Sequence, residues 1–318
     1  MSESQGQEKD AAPLEEEESL SVWARLWGGL WALVALVAVF SFWQNPYLLT
    51  LVSAFRFQLL LGLVVVSLPP LIVFPGRRKL LFVGVPLMFF LTFASYLVPL
   101  GGPAKSEDSL AVVVANVYSQ NRNLDRLSEW LDKNPSDVVG VIEVSDHHEA
   151  TLREMGFEHV ISEPRKTNFG MALLSREAPL QSEILAKDSP FPVIWAEYDN
   201  YQIVLAHPPP PVSVEMREIG DLQVEELLRY FESSKKPIVF MGDFNATGWD
   251  LRVLPLKENG YKDTRRGFGM LPTWPTHNRL LFIPIDHIFV PNDWTVNECE
   301  TGPEIGSDHL PLRAVLTP

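Results

Sequence analysis

The chain is poor in cysteine, poor in basic residues and, over long stretches of its first third, devoid of charge. Cys299 is the only cysteine in 318 residues, which excludes a disulfide-stapled scaffold. Lysine and arginine number 26 against 40 aspartates and glutamates. Residues 26–43, 57–76 and 80–104 carry no charge at all. A helix needs roughly 20 apolar residues to cross the bilayer hydrocarbon, so these runs exclude a purely soluble or disordered protein. No internal repeat is visible. The mean hydropathy of +0.04 therefore averages two unlike parts.

The first part reads as an acidic disordered tail over residues 1–22, with Glu15 to Glu18 in a row, and then a membrane anchor over 23–103. Three spans are expected at about 26–43, 54–74 and 80–99, ending in a Gly101-Gly102-Pro103 hinge. Pro69-Pro70 should kink the second span. Trp23, Trp27, Trp43 and Tyr47 flank the first, as an interfacial aromatic belt does. A cleaved signal peptide fits poorly, because residues 1–22 are acidic and lack a small-x-small cleavage site. Arg25 and the Arg77-Arg78-Lys79 loop fall on one face, which the positive-inside rule makes cytoplasmic. A multi-pass cell-membrane protein with an extracytoplasmic C-terminal domain follows; Arg56 alone dissents.

From residue 104 to 318 the texture changes to short strands alternating with amphipathic helices, a mixed α/β pattern that suits one domain. Strands are expected at Leu110–Val117, Val138–Val144, Phe169–Leu174, Val193–Tyr198, Gln202–Ala206, Pro237–Met241, Ile285–Val290 and Leu312–Leu316. Helices are expected at Asn123–Lys133 and at Glu215–Phe231, the latter with Leu222, Leu227 and Leu228 inward.

Polar residues gather where these strands stop. Asn116 ends the first, Glu143 the second and His207 the fifth. Asp243 and Asn245 follow the Ile-Val-Phe-Met strand, Asp286 sits in Pro-Ile-Asp-His-Ile, and Ser307-Asp308-His309 precedes the last strand. Strand ends of this kind collect functional groups in one cleft. Carboxylate and amide oxygens suit a hard ion such as Mg²⁺ or Mn²⁺. Such a set suits phosphoester hydrolysis, which needs an activated water, a neutralising cation and donors for the phosphate oxygens. Singly, each residue has a plainer reading: a turn at Gly242–Asn245, an exposed carboxylate at Glu143, an edge-closing histidine at His207.

In order and combination, Ala115-Asn116-Val117, Val141-Ile-Glu143-Val144, Gly170–Arg176, His207 before four prolines, Gly242–Thr247, Pro284–Ile288 and Gly306–His309 resemble the endonuclease/exonuclease/phosphatase superfamily. The resemblance spans about Leu110 to Thr317 and is greatest to bacterial members with a multi-span anchor. It implies a DNase I-like four-layer α/β/β/α sandwich behind about three transmembrane helices. It implies Glu143 as principal metal ligand, with Asn116 on the same ion and Asp308 a further ligand. Asp243 would take the proton of the attacking water and Asn245 would orient that water. His309, its ring held by Asp286, would contact the scissile phosphate, and His207 would donate to a phosphate oxygen. The sequence departs from the family pattern at Ile142, where glutamine is common, at Tyr118, where some nucleases have aspartate, and at Pro208–Pro211. Trp274 either walls the cleft or belongs to the core.

The substrate is less legible. From Lys105 onward 20 of the 26 basic residues face 33 of the 40 acids, a net charge of −13 that disfavours polynucleotide. Arg122, Arg165-Lys166 and Arg265-Arg266 are candidate phosphate contacts or scattered surface cations. The expected partners are the membrane lipid bilayer and a phosphoester, whether lipid head group, small phosphoester or nucleic acid, with no obligate protein partner evident. A membrane-tethered nuclease and a non-catalytic tethered binding protein are the alternatives.

Overall fold

The computed structural model describes residues 12–44, 47–73, 76–99 and 109–318. The chain divides between Phe93 and Ala94 into two compact units. In the first, helix α1 (Ala12–Phe40) runs back through Glu15–Glu18, where an unstructured tail was expected. Glutamate is a good helix former. Residues 1–11 of that tail, and the expected hinge at Gly101–Pro103, lie outside the described residues.

Helices α2 (Tyr47–Ala54), α3 (Arg56–Val73) and α4 (Lys79–Leu97) follow. Val22–Phe40 and Lys79–Leu97, 19 residues each, are long and apolar enough to cross a membrane. The middle span differs from expectation: α2 and α3 form a pair bent by 68°, so the count is two, or three if the pair is one span. The bend falls at Phe55, while Pro69 and Pro70 stay helical near the end of α3. Their missing N–H groups leave the Val65 and Val66 carbonyls without an i+4 donor, and Trp27 Nε1 takes up that of Val66. Arg56, the dissenting cation, is buried against residues just past α1, with its Nε donating to Ser41 Oγ (3.3 Å) and its guanidinium 4.2 Å from the Phe42 ring. Trp27 Nε1 donates to the Val66 carbonyl and Trp31 Nε1 to Ser67 Oγ, both at 2.9 Å, so α1 and α3 are joined.

The second unit holds two six-stranded sheets. One contains β1 (Leu110–Asn116), β2 (Val138–Ile142), β3 (His159–Glu163), β4 (Met171–Ser175), β11 (Thr295–Thr301) and β12 (Leu312–Thr317), ordered β11-β12-β1-β2-β4-β3. The other contains β5 (Gln181–Leu185), β6 (Val193–Glu197), β7 (Gln202–Ala206), β8 (Ile238–Asp243), β9 (Tyr261–Asp263) and β10 (Asp286–Pro291), ordered β5-β6-β7-β8-β10-β9. Helices α5 (Asp125–Lys133) and α6 (Glu149–Glu154) cover the first sheet; α7 (Val214–Tyr230) and α8 (Leu254–Glu258) cover the second.

Three apolar layers follow from period-two alternation. Val112, Val114 and Leu173 face Ile203, Leu205 and Met241 between the sheets. Val113, Val139 and Val141 turn outward to Leu127, Leu131 and Leu152, and Phe240 turns outward to Val224, Leu227 and Leu256. Strands buried on both faces read as continuous apolar runs, which is why the central ones stood out in the sequence. On α7 the buried residues are Gly220, Val224 and Leu227, whereas Leu222 is exposed and not inward as expected.

In each sheet the central pair is parallel, β1 with β2 and β7 with β8, flanked by antiparallel strands on both sides: β12 and β4 in the first sheet, β10 and β6 in the second. The C-terminal ends of β1, β2, β7 and β8 therefore share an edge with the N-terminal ends of β10 and β12. That geometry brings six sequence-distant segments together.

Candidate active site

Every one of those six segments delivers a polar side chain. Asn116 is the last residue of β1; its Nδ2 donates to Glu143 Oε1 and Asp243 Oδ2, both at 3.1 Å, bridging the two sheets. Glu143 follows β2 with φ 62°, a left-handed backbone that costs a non-glycine residue of order 1 kcal/mol or more and clusters at functional sites. The Ser119 N–H holds its other oxygen at 3.1 Å. Asn245 is also left-handed, with φ 49°. Its N–H donates to Asp243 Oδ1 (2.8 Å) and its Nδ2 to the Pro208 carbonyl (3.0 Å), so the side chain fixes the loop after His207. Gly242, with φ 153°, is required where β8 passes β7, because a Cβ would sit 1.8 Å from the Ala206 carbonyl oxygen.

His309 Nδ1 donates to Asp286 Oδ2 at 2.8 Å, and its Nε2 lies 3.7 Å from Asp243 Oδ2 and 3.5 Å from Asn116 Nδ2. His207 Nε2 lies 3.6 Å from the same Asp243 oxygen. All of these side chains except Asn245 are buried. Asp308 stands apart from the bridge: its carboxylate accepts from Trp274 Nε1 (3.0 Å), while its charge still bears on Glu143 and His309. Trp274 is half-buried, with its ring 6.4 Å from that of His309, and so walls the cleft.

Burial sets the charges. It pushes Asp243 up to about 7, helped by the nearby Asp286 charge and opposed by His309. Burial also pulls the His309 imidazolium down, but Asp286 and Asp243 outweigh it and hold the ring charged, at about 10. Asp286 is depressed, because His309 and the Thr273 hydroxyl overcome its burial. Burial and then the His309 charge push His207 down to about 3, so this second imidazole is neutral. Burial raises Glu143 as well.

The donor set fits a divalent cation. Glu143 and Asp243 are buried acids with raised affinity for a proton, and among the described residues no lysine or arginine ion-pairs with either. The His309 imidazolium offsets part of their charge, and hard oxygens neutralised no further suit Mg²⁺ or Mn²⁺. Ligand-capable atoms of Asp243, Asp286 and His309 also lie within 4.8 Å of one another. Of these three, Asp286 and His309 are already committed to each other by their hydrogen bond.

Several contributors escaped the sequence. Ser119 holds Glu143 through its backbone, and the Thr273 hydroxyl accepts from the Ile285 and Asp286 N–H groups at 3.3 Å each. Of the cations considered for phosphate contact, Arg265 is wholly buried, bonded to the Leu271 and Asp286 carbonyls and to His287. It buttresses the Asp286 strand and cannot meet a substrate. Arg165 is engaged by Glu163 and by the Ser189 carbonyl. Arg122 and Lys166 are exposed.

A model of the Endonuclease/Exonuclease/phosphatase family matches residues 113–309, and the chain belongs to that family. Its fold is the DNase I-like sandwich, and the family's members hydrolyse phosphoesters as nucleases and phosphatases. Among solved structures, an AP endonuclease from Archaeoglobus fulgidus is 18% identical, with a TM-score of 0.55 over 64% of this chain and 98% of its own. A humanized D. rerio TDP2 is 16% identical (TM-score 0.56; 67% and 100% covered). The 3′ phosphatase NExo from Neisseria, bound to a product DNA hairpin, is 19% identical (TM-score 0.53; 64% and 98%). No curated protein sequence matches the chain.

Proposed function

We propose that the chain is a membrane-anchored, divalent-metal-dependent phosphoester hydrolase of phosphodiesterase or phosphatase type. The observation that carries this reading is the cluster where strand ends of the two packed sheets meet. Two buried acids that no lysine or arginine among the described residues pairs with lie there beside an imidazole held charged by Asp286. Glu143 would hold Mg²⁺ or Mn²⁺, joined by Asn116 if its amide turns Oδ1, which accepts from the Tyr118 N–H, toward the ion, with Asp308 adding negative charge at the edge of the site. The ion, when bound, neutralises phosphate charge and lowers the pKa of water.

The remaining chemistry belongs to the side chains. Asp243, poised near 7, accepts the proton of the attacking water; a base works best when its pKa lies near the working pH. Asn245 fixes that carboxylate through its N–H. The His309 imidazolium donates to a phosphate oxygen and offsets the charge that grows there. Asp286 orients the ring. Neutral His207 offers an uncharged donor.

A lipid head group or small phosphoester suits a domain of net charge −13 better than a polynucleotide does. The nuclease reading draws its support from the DNA-bound neighbour structure. The candidate spans support a multi-pass membrane protein, and Arg25 with Arg77–Lys79 supports an extracytoplasmic catalytic domain. The test is hydrolysis of bis(p-nitrophenyl) phosphate by the full chain in detergent, with and without Mg²⁺. Metal-dependent turnover is expected, whereas a tethered binding protein gives none. DNA, RNA, phospholipid and phosphomonoester offered side by side then rank the substrates.

A further inference from the structure

Proline has no N–H, so the run Pro208–Pro211 after His207 cannot pin itself by donating backbone hydrogen bonds. The Pro210 carbonyl accepts locally from the Val212 N–H at 2.8 Å, whereas the two before it are held from outside. Asn245 takes the Pro208 carbonyl; Arg252 takes that of Pro209, its Nη1 donating at 2.9 Å. The same Nη1 donates to the Phe244 carbonyl at 2.9 Å, in the loop between Asp243 and Asn245. Arg252 is buried, with 3% of its surface exposed, and its other nitrogens are anchored on α7: Nε to Asp221 Oδ1 (2.9 Å) and Nη2 to the Arg217 carbonyl (3.3 Å).

The local sequence aims it there. Asp250 accepts from the Arg252 N–H at 2.9 Å and caps the 3-10 turn Leu251–Val253. On α7 the facing residue is Gly220, buried, where a Cβ would lie 2.5 Å from Arg252 Nη2 and 2.6 Å from Cζ. The glycine leaves a slot that the guanidinium fills.

We propose that Arg252, seated in the slot left by Gly220, is a positioning residue that keeps the His207 loop in register with Asp243 and Asn245. It touches no reacting atom. It acts by holding two loop carbonyls through Nη1 while Nε and Nη2 are fixed on α7, a planar fork that lysine's point-like ammonium does not reproduce. The inference rests on the phosphoester reading, and only the rate on a phosphoester reports it.

The experiment measures kcat and KM of the full chain in detergent on bis(p-nitrophenyl) phosphate with Mg²⁺, for wild type, Arg252→Lys and Gly220→Ala. Circular dichroism gives the folded fraction of each. Gly220→Ala is the discriminating variant: alanine is the better helix former, so a merely structural reading predicts a sound helix and an unchanged rate. Displacing the guanidinium should instead lower kcat per folded molecule by about tenfold or more in both variants, with KM moving little, as small misplacements of reacting groups do. If the folded variants keep kcat within about twofold of wild type, the inference is overturned while the phosphoester reading stands. A wild-type chain without hydrolysis overturns both. Should Arg252→Lys not fold, Gly220→Ala alone decides.

Discussion

His309 and Asp243 lie 3.7 Å apart in the same buried cluster, yet their environments hold one charged at about 10 and leave the other poised at about 7. Groups driven apart in this way mark donor and acceptor roles. Asp286 is what keeps His309 charged. In Asp286→Asn the burial penalty is no longer opposed by that carboxylate, so the His309 pKa should fall by several units towards its ordinary 6.5, read by NMR titration. Hydrolysis should fall by roughly 100-fold. A His309 that still titrates near 10 would show that some other group supports the charge.

Asp243 carries a pH consequence. Its folded pKa stands above the unfolded value, so its proton stabilises the metal-free fold at low pH, and that contribution is lost as pH rises through about 7. A divalent cation needs the carboxylate ionised, so it competes with the same proton. Calorimetric Mn²⁺ affinity should therefore weaken as pH falls below 7, by up to about tenfold per pH unit for one competing proton. An affinity flat from pH 5 to pH 8 would remove Asp243 and Glu143 from the metal's surroundings.

Among the elements, β8 and its turn carry the tightest steric demand. In Gly242→Ala a Cβ would lie 1.8 Å from the Ala206 backbone oxygen at a φ that side chains rarely adopt, and backbone cannot step aside as a flexible side chain can. A loss of roughly 2–4 kcal/mol is expected, visible as a lowered unfolding midpoint. Gly220→Ala, whose added methyl meets only the end of a side chain, should cost less.

The elements also explain what the sequence could and could not reveal. Strands buried on both faces, such as β1, β2 and β8, announced themselves as apolar runs, as did their polar terminal residues. The four strands that escaped, β3, β5, β9 and β11, are the four sheet edges. Edges face water, so β5 is Gln-Ser-Glu-Ile-Leu and β11 is Thr-Val-Asn-Glu-Cys-Glu-Thr, without a run to read. The site's ordered residues were legible because each lies at or beside the end or the start of an apolar strand. Ser119, Arg252 and Arg265 were not, because they act through backbone groups whose nearness only the fold supplies.

For the whole molecule, acidity and apolar helices point the same way. A domain of net charge −13 gains little from counterion release on DNA. Phospholipid or small phosphoesters should therefore be turned over faster than duplex DNA when offered side by side at moderate salt, and the reverse order would favour the nuclease reading. A reporter active on only one side of the membrane, fused after Pro318, should be active outside the cytoplasm; activity inside would overturn the orientation drawn from Arg25 and Arg77–Lys79.

The central claim is metal-dependent phosphoester hydrolysis at the edge where the two sheets meet. It is tested most directly by the rate of the detergent-solubilised chain on bis(p-nitrophenyl) phosphate, as wild type, Asp243→Asn and His309→Ala, with Mg²⁺ and after its chelation. Turnover is expected in the wild type with metal, none after chelation, and a loss on the order of 1000-fold or more in either folded variant. Turnover retained in both variants would contradict it.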